Sequence, residues 1–154
     1  MQCLVSGGSG FLGSHLIEAL VKRGEQVRAL VRPDSKTEHL NQLGIELSPG
    51  DLGDVHSLKN AVQNIDMVYH CAALAADWGS WKDFENTNVV GTRNLLQASL
   101  ERGVDKFIHI KIGKQTKAID RYSCLWGQFN EEFLYSQLPR FSGIPDERFY
   151  QVYP

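Results

Sequence analysis

The sequence predicts an α/β domain built on a doubly wound parallel sheet. Two observations carry that prediction. Over residues 1–110, short β-type apolar runs alternate with helical runs, and the connections between them are brief. The first apolar run also leads through a cluster of glycines straight into an amphipathic run. Strands are expected at 2–6, 26–31, 45–48, 66–70 and 105–110, and helices at about 11–23, 36–43, 54–63 and 83–102. The right-handed crossover of βαβ units then favours the strand order 3-2-1-4-5. In such a sheet a ligand crevice lies beyond the carboxyl ends of the strands.

The boundaries have local causes. Gly24 can end the first helix, and Gly103 the fourth, within Glu101-Arg102-Gly103-Val104. The Asp54 carboxylate can cap the third by accepting an unpaired backbone N–H.

The glycine cluster is Gly7-Gly8-Ser9-Gly10-Phe11-Leu12-Gly13. It follows the strand Gln2-Cys3-Leu4-Val5-Ser6 and precedes the helical run at 14–23. Gly8, Gly10 and Gly13 satisfy G-x-G-x-x-G, whereas Gly7, Gly10 and Gly13 satisfy G-x-x-G-x-x-G. Glycine lets the backbone turn tightly and approach a pyrophosphate with no Cβ in the way. The following helix aims unpaired N–H groups and a positive dipole end at the phosphates. The pattern in this context is that of a dinucleotide-binding βαβ unit. An ordinary strand–turn–helix with a glycine cap is the alternative.

At 154 residues, with charged residues at 22% and a net charge of −2, the chain suits one domain with a sizeable core. That balance suggests neither a nucleic-acid binder nor a polybasic membrane module. No apolar run approaches membrane-spanning length. Strand residues follow Met1 almost at once, so no signal peptide is expected. Cys3, Cys71 and Cys124 are far apart and lack zinc spacing, which fits a reduced, cytoplasmic compartment.

The character changes at Lys111. Residues 111–117 have no clear period. The stretch to Pro154 is rich in aromatics, among them Tyr122, Trp126, Phe133, Tyr135 and Tyr150. A short helix near 128–137 fits the pattern, but no sixth strand is expected.

Residues 1–110 resemble the extended short-chain dehydrogenase/reductase superfamily, of the NAD(P)-dependent epimerase/dehydratase type. The segments that carry the resemblance are Val5-Ser6-Gly7-Gly8-Ser9-Gly10-Phe11-Leu12-Gly13, Gly50-Asp51-Leu52, His70-Cys71-Ala72-Ala73 and Asn88-Val89-Val90-Gly91-Thr92-Arg93-Asn94-Leu95-Leu96. Two further stretches, Arg28-Ala29-Leu30-Val31-Arg32-Pro33 and Asp77-Trp78-Gly79-Ser80-Trp81, look closest to the dihydroflavonol-reductase and 3β-hydroxysteroid-dehydrogenase-like branches. The resemblance implies a Rossmann-type NAD(P)-binding domain at 1–110, with 111–154 a divergent tail.

It also implies roles. Gly7, Gly10, Phe11, Leu12 and Gly13 would cradle the pyrophosphate. Asp51, with Leu52 beside it, would lie near the adenine amino group, where a carboxylate suits an NH₂ donor. A plain turn in Pro49-Gly50-Asp51-Leu52-Gly53 is the alternative. Ala72 and Ala73 would let the backbone lie against the ribose and nicotinamide side, or would serve strand–helix packing. Gly91 would permit close helix–sheet contact. Asn88 would lie near the active site, holding structural water, or be a solvated helix residue. His70 and His109 fall in strands as structural residues, His70 at a strand end that the cofactor could approach.

The end of the second strand separates NADP from NAD. A carboxylate there binds the ribose 2′-OH, whereas an arginine accommodates a 2′-phosphate. The position falls at Val31 or Arg32, with Ser35 and Lys36 close behind. Arginine offers phosphate a planar fork of donors, so NADP is favoured. Asp34 keeps NAD open, because a shift in the turn would present it instead.

The implied chemistry is hydride transfer, with a Tyr-x-x-x-Lys pair as acid/base. A phenol needs a nearby cation to work at neutral pH. Here Tyr122 is followed four residues on by Trp126, Tyr135 by Pro139, and Tyr150 by Pro154. No catalytic residue is therefore assigned, and no metal site. The reading is a truncated cofactor-binding portion that does not complete hydride transfer alone. A non-catalytic dinucleotide-sensing module with a partner-binding aromatic tail is the alternative. A substitute acid/base, Tyr122 with Lys117, has no spacing to support it. The expected partners are a nicotinamide dinucleotide and a small-molecule substrate that the residues do not identify. Nucleic acid and membrane are not expected, and a homo-oligomer stays open.

Overall fold

The computed structural model describes residues 1–76, 78–110 and 149–152. The strands are β1 (Gln2–Ser6), β2 (Gln26–Val31), β3 (Glu46–Pro49), β4 (Met67–His70), β5 (Lys106–Ile110) and β6 (Phe149–Val152). They form one sheet in the order β3-β2-β1-β4-β5-β6, and every pairing is parallel. The expected 3-2-1-4-5 core is present. The sixth strand corrects the sequence reading. Its four residues stand in a stretch where no alternation of strand and helix continues, so the sequence does not single them out. What recruits them is the outer edge of β5, whose backbone N–H and C=O groups would otherwise be unpaired. The short helix expected near 128–137 lies outside the described residues, as do Lys117 and Tyr122.

The helices are α1 (Phe11–Lys22), α2 (Glu38–Gln42), α3 (Val55–Ala61), α4 (Trp81–Phe84) and α5 (Gly91–Glu101). A π-helical segment, Glu85–Val90, joins the last two. Gly24 and Gly103 follow α1 and α5 with φ of 79° and 71°, the left-handed backbone that lets a chain leave a helix.

Strand alternation divides the core into two layers. Leu4, Leu30, Val68 and Phe107 pack with Leu58, Ala61, Leu95 and Leu96 of α3 and α5. Cys3, Val5, Val27, Ala29, Val31 and Met67 pack on the other face with Ile17 and Leu20 of α1 and Leu40 of α2. Arg28 sits on the first of these faces. One Nη1 donates to the carbonyls of Ala61 and Gln63, both at 2.8 Å, and Nε meets Glu46 at 2.8 Å. The guanidinium thus satisfies carbonyls at the end of α3 and ties it to β3.

Asp54 caps α3 as expected, its Oδ1 accepting from the His56 N–H at 3.0 Å. Ser57 in the first turn donates to the Asp54 carbonyl at 2.8 Å and accepts the Asp51 N–H at 3.2 Å. Asp54→Ala is expected to cost about 1 kcal/mol in urea unfolding, with the slope unchanged.

Candidate functional site

β1 lies between β2 and β4, so the chain order reverses at its carboxyl end. Ligands of open α/β sheets bind at such switch points. The glycine turn springs from this place. Gly7 has φ of 70° and backs onto β4's exit: a Cβ there would stand 2.8 Å from both Cα and N of Ala72. The Gly10 N–H closes the turn on the Gly7 carbonyl at 3.0 Å. Gly13 is inserted behind it, where a Cβ would strike the Gly7 carbonyl oxygen and lie 2.9 Å from Gly8 Cα.

Gly10 precedes α1 in extended conformation, and among the described residues no side chain caps that helix end. The N–H groups of Phe11, Leu12 and Gly13 are the helix's first, the ones without intrahelical acceptors. An anion placed there would meet donors, a favourable dipole and bare backbone. Phe11 is 84% exposed, Leu12 half-buried and Gly13 buried.

Gly8 differs from its neighbours. A Cβ on it would meet Ile17 Cδ1 at 2.8 Å and the Ala29 Cβ at 3.1 Å, so it serves core packing under α1. The G-x-x-G-x-x-G reading through Gly7, Gly10 and Gly13 therefore describes the turn.

Arg32 follows β2, exposed, its Nε 3.7 Å from Asp34 Oδ1. Arg32 does not line the neighbouring cleft of about 310 Å³, but Ser9, Ser14, Lys36 and His39 do, together with Gly8, Glu38 and Leu40. A larger hollow of about 390 Å³, bordered by Gln2, Glu25 and Glu46, opens at the strands' amino ends, away from the turn.

Asp51 is exposed after β3, with Oδ1 accepting the Gly53 N–H at 2.8 Å. Leu52 is buried. Its side chain fills the space over Gly91, where a Cβ would lie 2.7 Å from Leu52 Cβ. Gly91 thus admits a loop side chain rather than a close approach to the sheet. The Leu52 carbonyl accepts from Asn94 Nδ2 at 2.9 Å.

Asn88 grips the segment after β4 from both sides. Its Oδ1 accepts the Leu74 N–H at 2.7 Å, and its Nδ2 donates to the Leu74 carbonyl at 3.1 Å. Asn88 belongs to the π-helical segment, in which the Gly91 N–H reaches five residues back to the Asn86 carbonyl. Ala72 is half-buried against Gly7, and Ala73 is exposed.

Strand register builds a buried polar chain that the spacing of residues did not reveal. Ser6 pairs with His70, and His70 with His109, so all three share the α5-facing side of the sheet. Thr92 of α5 donates to the Asn88 carbonyl at 2.7 Å, so its oxygen accepts from His70 Nε2–H at 2.8 Å. His70 Nδ1 then accepts the Ser6 hydroxyl at 2.6 Å, and Ser6 Oγ accepts the Ala72 N–H at 3.3 Å. His70 is fully buried, and burial pushes its pKa down to about 3, with the neighbouring His109 adding to the effect. Sequence holds only its local parts, the alternation that puts Ser6 on the same face of β1 as Leu4 and the four-residue step from Asn88 to Thr92, and neither names His70 as their common partner.

Burial pushes the Cys3 and Cys71 thiols up to about 11, which makes them poor nucleophiles. Among the described residues no cluster of three or more His, Cys, Asp and Glu could hold a metal ion. None of the described helices is long and apolar enough to cross a membrane.

A glycine turn facing a helix N-terminus at a topological switch point defines a dinucleotide-binding class of fold. Residues 3–114 match the NAD dependent epimerase/dehydratase family, and the chain belongs to it. The chain is 39% identical over 110 residues to sterol demethylase protein B of Methylococcus capsulatus, covering 71% of this chain and 34% of that one. It is 38% identical over 108 residues to a putative dihydroflavonol 4-reductase of Synechocystis, covering 68% and 31%. The UDP-glucose 4-epimerase of Thermus thermophilus, solved in complex with NAD, superposes with a TM-score of 0.75 at 26% identity, over 98% of this chain and 54% of that one. The chain thus spans about a third of the length of the curated relatives it matches.

Proposed function

We propose that residues 1–110 form the nicotinamide-dinucleotide site of a reductase- or epimerase-type oxidoreductase, and that NADP is preferred to NAD. The observation that carries this reading is the tight backbone packing of Gly7 on Ala72, which sets the glycine turn beside the first turn of α1. No side chain could be added there without striking backbone. The fit is to a pyrophosphate: Gly7 and Gly13 let the turn close tightly on β4's exit and on α1, Gly10 brings no side chain to the helix end, and the N–H groups of Phe11 and Leu12 supply donors. Asp51, with Leu52 anchoring its loop, accepts from the adenine amino group. Ala72 and Ala73 flank the nicotinamide ribose, and Asn88 fixes the segment that follows them. Arg32 takes the 2′-phosphate, and Lys36, in the cleft beside Ser9, adds a second cation. When bound, the nicotinamide supplies hydride transfer to or from a carbonyl or hydroxyl carbon.

This chain binds without completing turnover, because its sequence offers no Tyr-x-x-x-Lys pair. The likeness to the Thermus epimerase solved in complex with NAD supports a nicotinamide dinucleotide as the ligand.

The test is thermal and chemical unfolding of the chain with NADPH or NADH. Saturation at 100 times the dissociation constant is expected to add about 2.7 kcal/mol. Arg32→Glu is expected to weaken NADPH about 10- to 100-fold and to leave NADH the better ligand. Equal loss for both would mean that Arg32 does not meet the 2′-phosphate. No stabilisation of the wild type by either would sink the reading.

A further inference from the structure

We infer that His70 is a positioning residue, which locks the backbone facing the nicotinamide end of the cofactor to the phosphate-binding turn through its two ring nitrogens. The inference rests on the cofactor reading above. Its basis is the direction of the hydrogen bonds. The Thr92 hydroxyl has one proton and donates it to the Asn88 carbonyl. Its oxygen can then only accept, so the ring proton sits on His70 Nε2. Nδ1 is thereby left as acceptor for Ser6, whose oxygen holds the Ala72 N–H.

Each end of this relay stops at backbone that borders the site. Ala72 is the wall that Gly7 presses against. Asn88 is the residue whose amide grips Leu74 on both sides. Ser6 immediately precedes Gly7, so β1's exit, β4's exit and the π-helical segment are joined through a single imidazole. Each connection is directional, and the two bonds to the ring are buried, which makes a broken link there costly. The adenine end, with Arg32 and Asp51, has no bond to the relay among those described.

That asymmetry gives the test. The full chain is titrated with two probes, NADPH and adenosine 2′,5′-bisphosphate, which keeps the adenosine with its 2′- and 5′-phosphates and lacks the whole nicotinamide half. Thr92→Val keeps the side chain's shape and removes the hydroxyl. It is expected to weaken NADPH about 10-fold while leaving adenosine 2′,5′-bisphosphate within about 2-fold. Thr92→Ser, which restores the hydroxyl, is expected to recover most of the loss. Should Thr92→Val fail to fold, Ser6→Ala, which removes one oxygen from the opposite end, carries the same expectation and decides the matter. Equal weakening of both probes would reduce the relay to a structural role, and unchanged NADPH binding would overturn the proposal. Nitrogen NMR of the wild-type imidazole is expected to show a neutral Nε2–H ring, and an Nδ1–H ring would contradict the relay. If the wild type binds neither probe, the cofactor reading fails first, which is a different result from selective loss in the variants.

Discussion

A Gly13→Ala chain is expected to lose all stabilisation by NADPH and about 3 kcal/mol of its own stability. Most core overpacking is relieved by rotation of a side chain, but here every atom in the way is backbone. The new methyl would strike the Gly7 carbonyl and sit 2.7 Å from its carbon and 2.9 Å from Gly8 Cα. The turn cannot retreat either, because Gly7 already backs onto Ala72. What must give is the 3.0 Å bond from the Gly10 N–H to the Gly7 carbonyl, and with it the geometry of the phosphate cradle. Gly24→Ala is the natural control. Its φ of 79° makes alanine strained, yet none of the described residues comes within 4 Å of the added carbon. It should lower the unfolding midpoint modestly and leave the NADPH effect intact. If Gly13→Ala kept the ligand-induced shift, the turn would not be the binding surface.

The second large effect is on acid stability. His70 ionises at about 6.5 in the unfolded chain but only near 3 when folded. Between those values the unfolded chain holds a proton that the folded one excludes. Stability is therefore highest above pH 6.5 and falls as pH drops towards 3, at up to about 1.4 kcal/mol per pH unit. From pH 7 to pH 5 this single group is expected to remove about 2 kcal/mol. Among the described residues the groups facing it are Ser6 on β1, Phe107 and His109 on β5, and Thr92 on α5, and none of these is an acid that could favour the charged ring. Urea unfolding of wild type and His70→Gln across pH 4–7 reads the difference. The glutamine variant should show a distinctly shallower decline, whereas parallel curves would mean that His70 takes up its proton in the folded state.

The glycine turn and the capping of α3 were legible because each is a local relation. Gly7, Gly10 and Gly13 lie within one turn and its helix, and Asp54 reaches only to His56. Sheet order followed from the alternation of strand and helix together with handedness. The relay was not legible. Ser6 and His70 are 64 residues apart, and their contact needs the register of β1 on β4 as well as the alternation within each strand. The π-helical segment was hidden for another reason: Asn88, Val89 and Val90 continue a plausible α-helical pattern, and nothing in their types marks a widened turn. Asn94 anchors the loop that carries Asp51 across 42 positions of sequence, a contact that its residue type alone does not announce. β6 escapes notice because its strand-favouring residues, Phe149, Tyr150 and Val152, stand outside the alternation of strand and helix that marks the other five.

The contact between Gly7 and Ala72 also has a meaning for the order of assembly. It spans 65 positions of sequence, and everything from α1 to α3 must be laid down between its two sides. Closing so long a loop is slow compared with forming a hairpin or a helix. The glycine turn can therefore be complete while the cleft it belongs to does not yet exist. A nascent chain that has produced only β1 to β3 would carry the phosphate motif and still lack its far wall. Cofactor binding accordingly reports the central crossing of the sheet, and during refolding it should appear with β4's insertion rather than with the first helix.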